Sequence, residues 1–139
     1  MENMSSGKSA LGLEPNVVAG LCYVGNLVCA LGLILSIITV ITDKTNKLAR
    51  FHAFQSIFLS VIGCILGGIL TAGFFIAFFI DASIGSSVPF PILTILMWLV
   101  CSVISLVIFI GIIMAAIKGF QGKIFKLPII GNFADKYSN

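Results

Sequence analysis

Three long stretches of this chain carry almost no charge. No formally charged residue lies between Glu14 and Asp43 or between Asp81 and Lys118, and between Arg50 and Asp81 the sole histidine, His52, is the one side chain that could become a cation. Each run exceeds the roughly 20 apolar residues that cross a bilayer, so the pattern predicts three transmembrane helices, over about 16–42, 47–80 and 91–118. The first run, starting at Pro15 or Asn16 with a fixed dihedral or a capping amide, would reach roughly 40 Å as one helix, against a hydrocarbon core of about 30 Å. It is therefore expected to tilt, protrude or break near Gly25 and Asn26.

Within the runs the small residues recur at helical spacing. Cys22, Gly25, Cys29, Gly32, Ser36 and Thr39 fall on one face of the first helix, and Ala49, Ala53, Ser56, Ser60, Gly63 and Gly67 on one face of the second. Such faces let backbones approach, which is what holds helices together in lipid, so they are expected to be packing seams. Lys47, Phe51, Phe54 and Phe58 share another side of the second helix and predict a lipid-facing surface with a lysine reaching up to the interface. Asp43, Thr45 and Asn46 are candidate caps for this helix. Pro91 suits the start of the third helix and Gly119 a left-handed end, with Tyr23 and Trp98 as interface aromatics. A loop closed by Pro89 and Pro91 separates the last two helices.

Charge then orients the chain. Lys44, Lys47 and Arg50 stand in the first loop, Lys118, Lys123 and Lys126 beyond the third run, and only Lys8 near the start. The positive-inside rule puts the first loop and the C-terminus in the cytoplasm, and three spans then put the N-terminus outside. Of the 139 residues 59% are hydrophobic and 9% charged, with a mean hydropathy of +1.18. This is the composition of an integral protein of the cell membrane with several passes. The expected fold class is all-α: a flexible segment 1–14, a transmembrane helical bundle over 15–118, and a cytoplasmic interfacial tail over 119–139. The tail interleaves Lys123 and Lys126 with apolar residues, so it is expected either to lie on anionic lipid headgroups or to fold back over His52. Pro128 prevents one continuous amphipathic helix there.

Chemistry is scarce. No paired carboxylates, close cysteine pairs or phosphate-cradling glycine loop occur, so neither catalytic nor metal nor cofactor-binding residues are expected, and the protein is read as no enzyme. Nucleic acid is not an expected partner, because the basic residues adjoin lipid. The polar residues that stand out are Arg50, His52, Gln55 and Ser56 at the start of the second helix, with Pro128 and Gly131 in the tail. Buried imidazole and amide groups demand partners, so these are expected to meet, His52 and Gln55 bonding the backbone around Leu127 to Gly131.

The stretch Arg50-Phe51-His52-Ala53-Phe54-Gln55-Ser56 resembles the signature of a family of small bacterial and archaeal membrane proteins grouped with the twenty-kilodalton-type inner-envelope component of chloroplast protein import. Pro15-Asn16-Val17, Leu21-Cys22-Tyr23, Lys118-Gly119 and Lys126-Leu127-Pro128-Ile129-Ile130-Gly131 extend the likeness from Leu13 to Lys136. The plastid relatives carry transit peptides and four spans, and Asn132 stands where the family often has Asp. The seams predict a membrane packing or interaction component acting with itself or with another membrane protein, and the resemblance implies a link to protein translocation or membrane-protein biogenesis. The alternative from a different class is a small transporter or channel, which three helices could form only as an oligomer.

Overall fold

The computed structural model describes residues 7–27, 31–44, 46–84, 91–128 and 130–138. Five helices follow in chain order: α1 Pro15–Asn26, α2 Leu31–Thr42, α3 Lys47–Ile84, α4 Ile92–Phe120 and α5 Ile130–Ser138. Among the described residues there is no strand. The chain divides into two compact units, one made of residues 1–61 and 110–139 and the other of residues 62–109.

The first apolar run is two helices, not one. α1 and α2 have 12 residues each and so rise about 18 Å apiece, too little to cross a core of about 30 Å. They fold back on each other. A Cβ on Gly25 would stand 2.6 Å from the backbone nitrogen of Gly32, while Leu35 and Val40 of α2 pack against the cluster containing Val18 and Cys22 of α1. Later residues of α2 thus meet earlier residues of α1, which makes the pair antiparallel. Both open ends lie together: Asp43, just past α2, accepts a hydrogen bond from the Ala10 amide at 3.3 Å, and Asn16 of α1 donates to the Phe120 carbonyl at 3.3 Å. The expected span 16–42 is corrected accordingly, leaving two helices long and apolar enough to cross a membrane, α3 and α4. The start of α1 is bonded to the end of α4.

The seam residues explain the hairpin. Gly25, Gly32 and Ser36 do serve close packing, but as the facing sides of two helices. Beyond Gly25, a Cβ on Gly32 would collide with the Cys22 carbonyl and the Asn26 nitrogen. Cys29 lies outside the described residues. The hydroxyls of Ser36, Thr39 and Thr42 each donate to the carbonyl four residues back, at 2.6, 2.8 and 2.7 Å, so an apolar helix carries them without orphaned protons.

α3 begins where Asn46 caps it. The Asn46 side chain accepts from the Ala49 amide at 3.4 Å, and Asp43 accepts from the Asn46 amide at 3.2 Å. Thr45, the third expected cap, lies outside the described residues. α4 ends at Phe120, two residues later than expected: Gly119 is helical, and its lack of a side chain instead admits α1, whose Ala19 carbonyl carbon would be 3.0 Å from a Cβ there. The left-handed residue is Gly122, at φ 68°. Bonds from Gly122 N–H to the Gly119 carbonyl (2.9 Å) and from Lys123 N–H to the Lys118 carbonyl (3.0 Å) form a Schellman end.

The second unit consists of the rest of α3 and α4. Asp81 in the last turns of α3 accepts from the Thr94 amide and hydroxyl at 2.7 and 2.8 Å, so a carboxylate of one helix caps the start of the next. Gly73 receives the Met97 side chain, whose Cε would lie 2.9 Å from a Cβ at that position. Residues 85–90 of the expected loop lie outside the described residues. The second seam reaches only as far as Ser60 and fades beyond it: a Cβ on Gly63 or Gly67 would meet nothing within 4 Å among the described residues.

Candidate functional site

His52 lies in the second turn of α3, and its surroundings join three parts of the chain. Its side chain is fully buried, with Tyr23, Phe51, Gln55 and Ser56, which are equally inaccessible. The Tyr23 hydroxyl is 3.0 Å from Nδ1, and the Lys123 carbonyl oxygen is 3.1 Å from Nε2. A carbonyl can only accept, so Nε2 carries the proton and donates to Lys123, leaving bare Nδ1 to accept from Tyr23. The neutral ring is thereby used on both sides. The rings of Tyr23 and Phe51 meet it edge to face, at centroid distances of 5.6 and 5.2 Å.

Local structure explains why these atoms converge. The Schellman turn at Gly122 reverses the chain at the end of α4 and brings the Lys123 carbonyl to the imidazole. Tyr23 arrives because α1 crosses the end of α4, where Gly119 meets the backbone of Ala19 and Gly20, and Gly20 leaves room for the Phe120 ring. One turn further along α3, the Ser56 hydroxyl donates to the Cys22 carbonyl (2.9 Å) and accepts from the Asn26 amide (2.9 Å). Ser60 Oγ lies 3.2 Å from Asn26 Oδ1 and 2.9 Å from the Ser56 carbonyl. The polar end of α1 is thus satisfied by α3.

Of the polar residues singled out by sequence, His52 and Ser56 enter this network. Gln55 does not: both atoms of its amide are buried without a hydrogen-bond partner among the described residues, and the same holds for Arg50 Nε. Pro128 and Gly131 are not bonded to His52 or Gln55. They shape the turn before α5, where the Gly131 amide donates to the Leu127 carbonyl (2.8 Å) and a Cβ on Gly131 would be 2.6 Å from Lys126 Cα. His52 meets the tail at Lys123, upstream of the expected segment. Beyond the turn, α5 lays Phe133 and Tyr137 on Phe58, at 6.3 and 6.1 Å, and Tyr137 also on Phe54 at 6.3 Å. Lys126 Nζ bonds Asp135 Oδ2 at 2.8 Å. The side of α3 expected to face lipid is therefore covered here by the tail, and Phe51 is core.

Sequence reading missed Tyr23, taken as an interface aromatic, and Asn26, taken only as a possible break. The steps from Cys22 to Tyr23 and from Gly25 to Asn26 put both beside the small seam, which was the available signal. The Lys123 carbonyl has none, since every residue has one. Among the described residues no group of three or more His, Cys, Asp or Glu could hold a metal ion.

Two long apolar helices and a short apolar hairpin, fastened to the tail by one histidine, define a small helical membrane protein. The chain belongs to the magnetosome magnetite crystal formation protein family, which it matches over residues 14–134. It is 33% identical over 132 residues to a UPF0132 membrane protein of Methanocaldococcus jannaschii, covering 95% of this chain and 96% of that one. A second UPF0132 membrane protein of the same organism is 29% identical over 128 residues, covering 92% of this chain and 73% of the relative. No solved structure matches. The matches agree with a small prokaryotic membrane-protein family, and none of them is a chloroplast import component.

Proposed function

We propose that this protein is a non-enzymatic, two-span protein of the cell membrane that serves as a packing and interaction component. The observation that carries the reading is the state of residues 62–109: among those described, only Ala77 is buried, while Ile69, Phe79, Val103 and Val107 are more than 60% exposed. So much apolar surface needs lipid and neighbouring membrane helices to cover it. α1 and α2 form a re-entrant hairpin, with Leu31, Ile34, Ile38 and Ile41 of α2 exposed as an apolar stripe toward acyl chains. Near the end of α1 the Asn26 side chain is satisfied by Ser56 and Ser60 of α3, as a polar group at membrane depth requires.

Two spans place both ends of the chain on one side. All eight Lys and Arg residues then lie on that side, since none falls between Arg50 and Lys118. By the positive-inside rule it is the cytoplasm, where anionic headgroups are partners for the basic residues. The opposite-ends topology left Lys8 outside; this one leaves no cation there. The matched family's name concerns magnetite crystal formation, but the acidic residues of this chain stand far apart at Glu2, Glu14, Asp43, Asp81 and Asp135. The last three already bond the chain's own groups, so mineral binding is not part of the proposal.

The test is photo-crosslinking in cells from Ile69 and Val107, one on each span. A discrete protein adduct, with a second copy or with another membrane protein, is expected; lipid adducts alone at both positions would end the interaction reading. Native mass spectrometry in mild detergent separates the transporter or channel alternative, which a strict monomer eliminates.

A further inference from the structure

We propose that the first turn of α3 and the tail together form a site for the phosphate-bearing headgroup of an anionic phospholipid, built from Lys47, Arg50, Lys126 and Lys136. The inference rests on the membrane reading above and gives it a definite lipid partner. Lys47 and Arg50, three residues apart, share a face of the opening turn of α3. Arg50 Cζ is 5.9 Å from the centre of the Phe54 ring, Phe54 lies 6.3 Å from Tyr137, and Lys136 Nζ is 6.0 Å from the Tyr137 ring. Lys126 holds Asp135 at 2.8 Å, and Lys47 is near enough to act on the same carboxylate. Lys126 and Lys47 thus share one carboxylate, while Arg50 and Lys136 stand over the adjoining Phe54 and Tyr137 rings.

Arg50 points to a missing acceptor. Its Nε is shielded by the protein itself, so an incoming oxygen can reach only the terminal nitrogens of the half-buried guanidinium, which donate to no protein acceptor among the described residues. A phosphate offers the planar fork two oxygens at once. The surroundings select a lipid phosphate over a dissolved one. Phe133 and Tyr137 are 54% and 51% exposed beside these cations, and α3 becomes continuously apolar within a few residues of Arg50. Cations above exposed aromatic rings at the foot of an apolar helix match the boundary between headgroups and acyl chains.

The protein is purified in mild detergent, supplied with an equimolar mixture of phosphatidylglycerol and phosphatidylcholine, and its retained lipids are measured by native mass spectrometry. Wild type should retain phosphatidylglycerol preferentially, and Lys47→Gln or Lys136→Gln should each weaken that retention about fivefold, as expected for one cation at a membrane surface. Lys8→Gln removes the same charge elsewhere and should leave retention unchanged. Both test positions have solvent-accessible side chains, so unchanged thermal midpoints separate lost binding from lost folding. Equal retention of the two lipids, or an equal loss in Lys8→Gln, would overturn the site. Displacement of phosphatidylglycerol by millimolar inorganic phosphate would show a soluble-anion site and overturn the lipid assignment. Such failures with the two-span topology intact remove the headgroup site alone.

Discussion

His52 is bonded in a fixed direction on each side, donating to Lys123 and accepting from Tyr23, so neither partner can be removed without stranding a buried polar atom. Tyr23→Phe leaves Nδ1 unpaired and should cost about 1–3 kcal/mol in thermal or chemical unfolding in detergent. His52→Ala should cost at least as much, and the double variant less than the sum of the two, because both remove the same bond. Strict additivity would mean that the 3.0 Å contact contributes nothing. The sequence made His52 conspicuous because it is the sole histidine, set at the entrance to an apolar run, and its need for partners was legible from burial alone. The partners were harder to see. Tyr23 is 29 residues away and looks like any interface tyrosine, and the Lys123 carbonyl is invisible in sequence. Its nearest trace is Gly122, whose left-handed conformation makes the turn.

At the scale of elements, the hairpin and the middle of α3 behave differently under substitution. Gly32→Ala puts a methyl group into the backbone of α1 and should destabilise the protein by about 1–3 kcal/mol, while Gly67→Ala enters open space and should be neutral or slightly stabilising. Equal melting temperatures for the two variants would contradict the hairpin. Hydropathy could not distinguish the hairpin from a single span, because a stripe of small residues has the same spacing whether it lies on one straight helix or on two helices folded together. The overlong first run and the Gly25-Asn26 pair were the only hints of a break. α5 is tied to the turn before it by the bond from Lys126, which keeps the Asp135 carboxyl below the ordinary carboxylate range against the opposing effect of burial, with the charges of Lys126 and Lys47 adding to it. A depressed folded pKa gives stability that is present above the unfolded value of about 4 and is lost as pH falls through the folded value. Amide protection factors across 130–138 should therefore fall on acidification below about pH 4, and Asp135→Asn should remove that step. An unchanged step in the variant would place the titrating group elsewhere.

For the whole molecule, the helical class and the membrane character were both legible, since composition and the long uncharged runs leave few other solutions. The number of crossings was not, because it depends on whether 27 residues of first run stay straight, and that is decided by contacts of α1 with α3 and with the end of α4. The consequence reaches every cation in the chain. With three crossings Lys8 faces away from Lys136; with two they share a side. Cysteines placed singly at Lys8, Ser83 and Lys136 in a cysteine-free background decide between these arrangements when intact cells are treated with a membrane-impermeant thiol reagent. With two crossings only the Ser83 position labels, and Lys8 and Lys136 react together once the membrane is opened. Labelling of the Lys8 position in intact cells, alongside Ser83, would contradict two crossings.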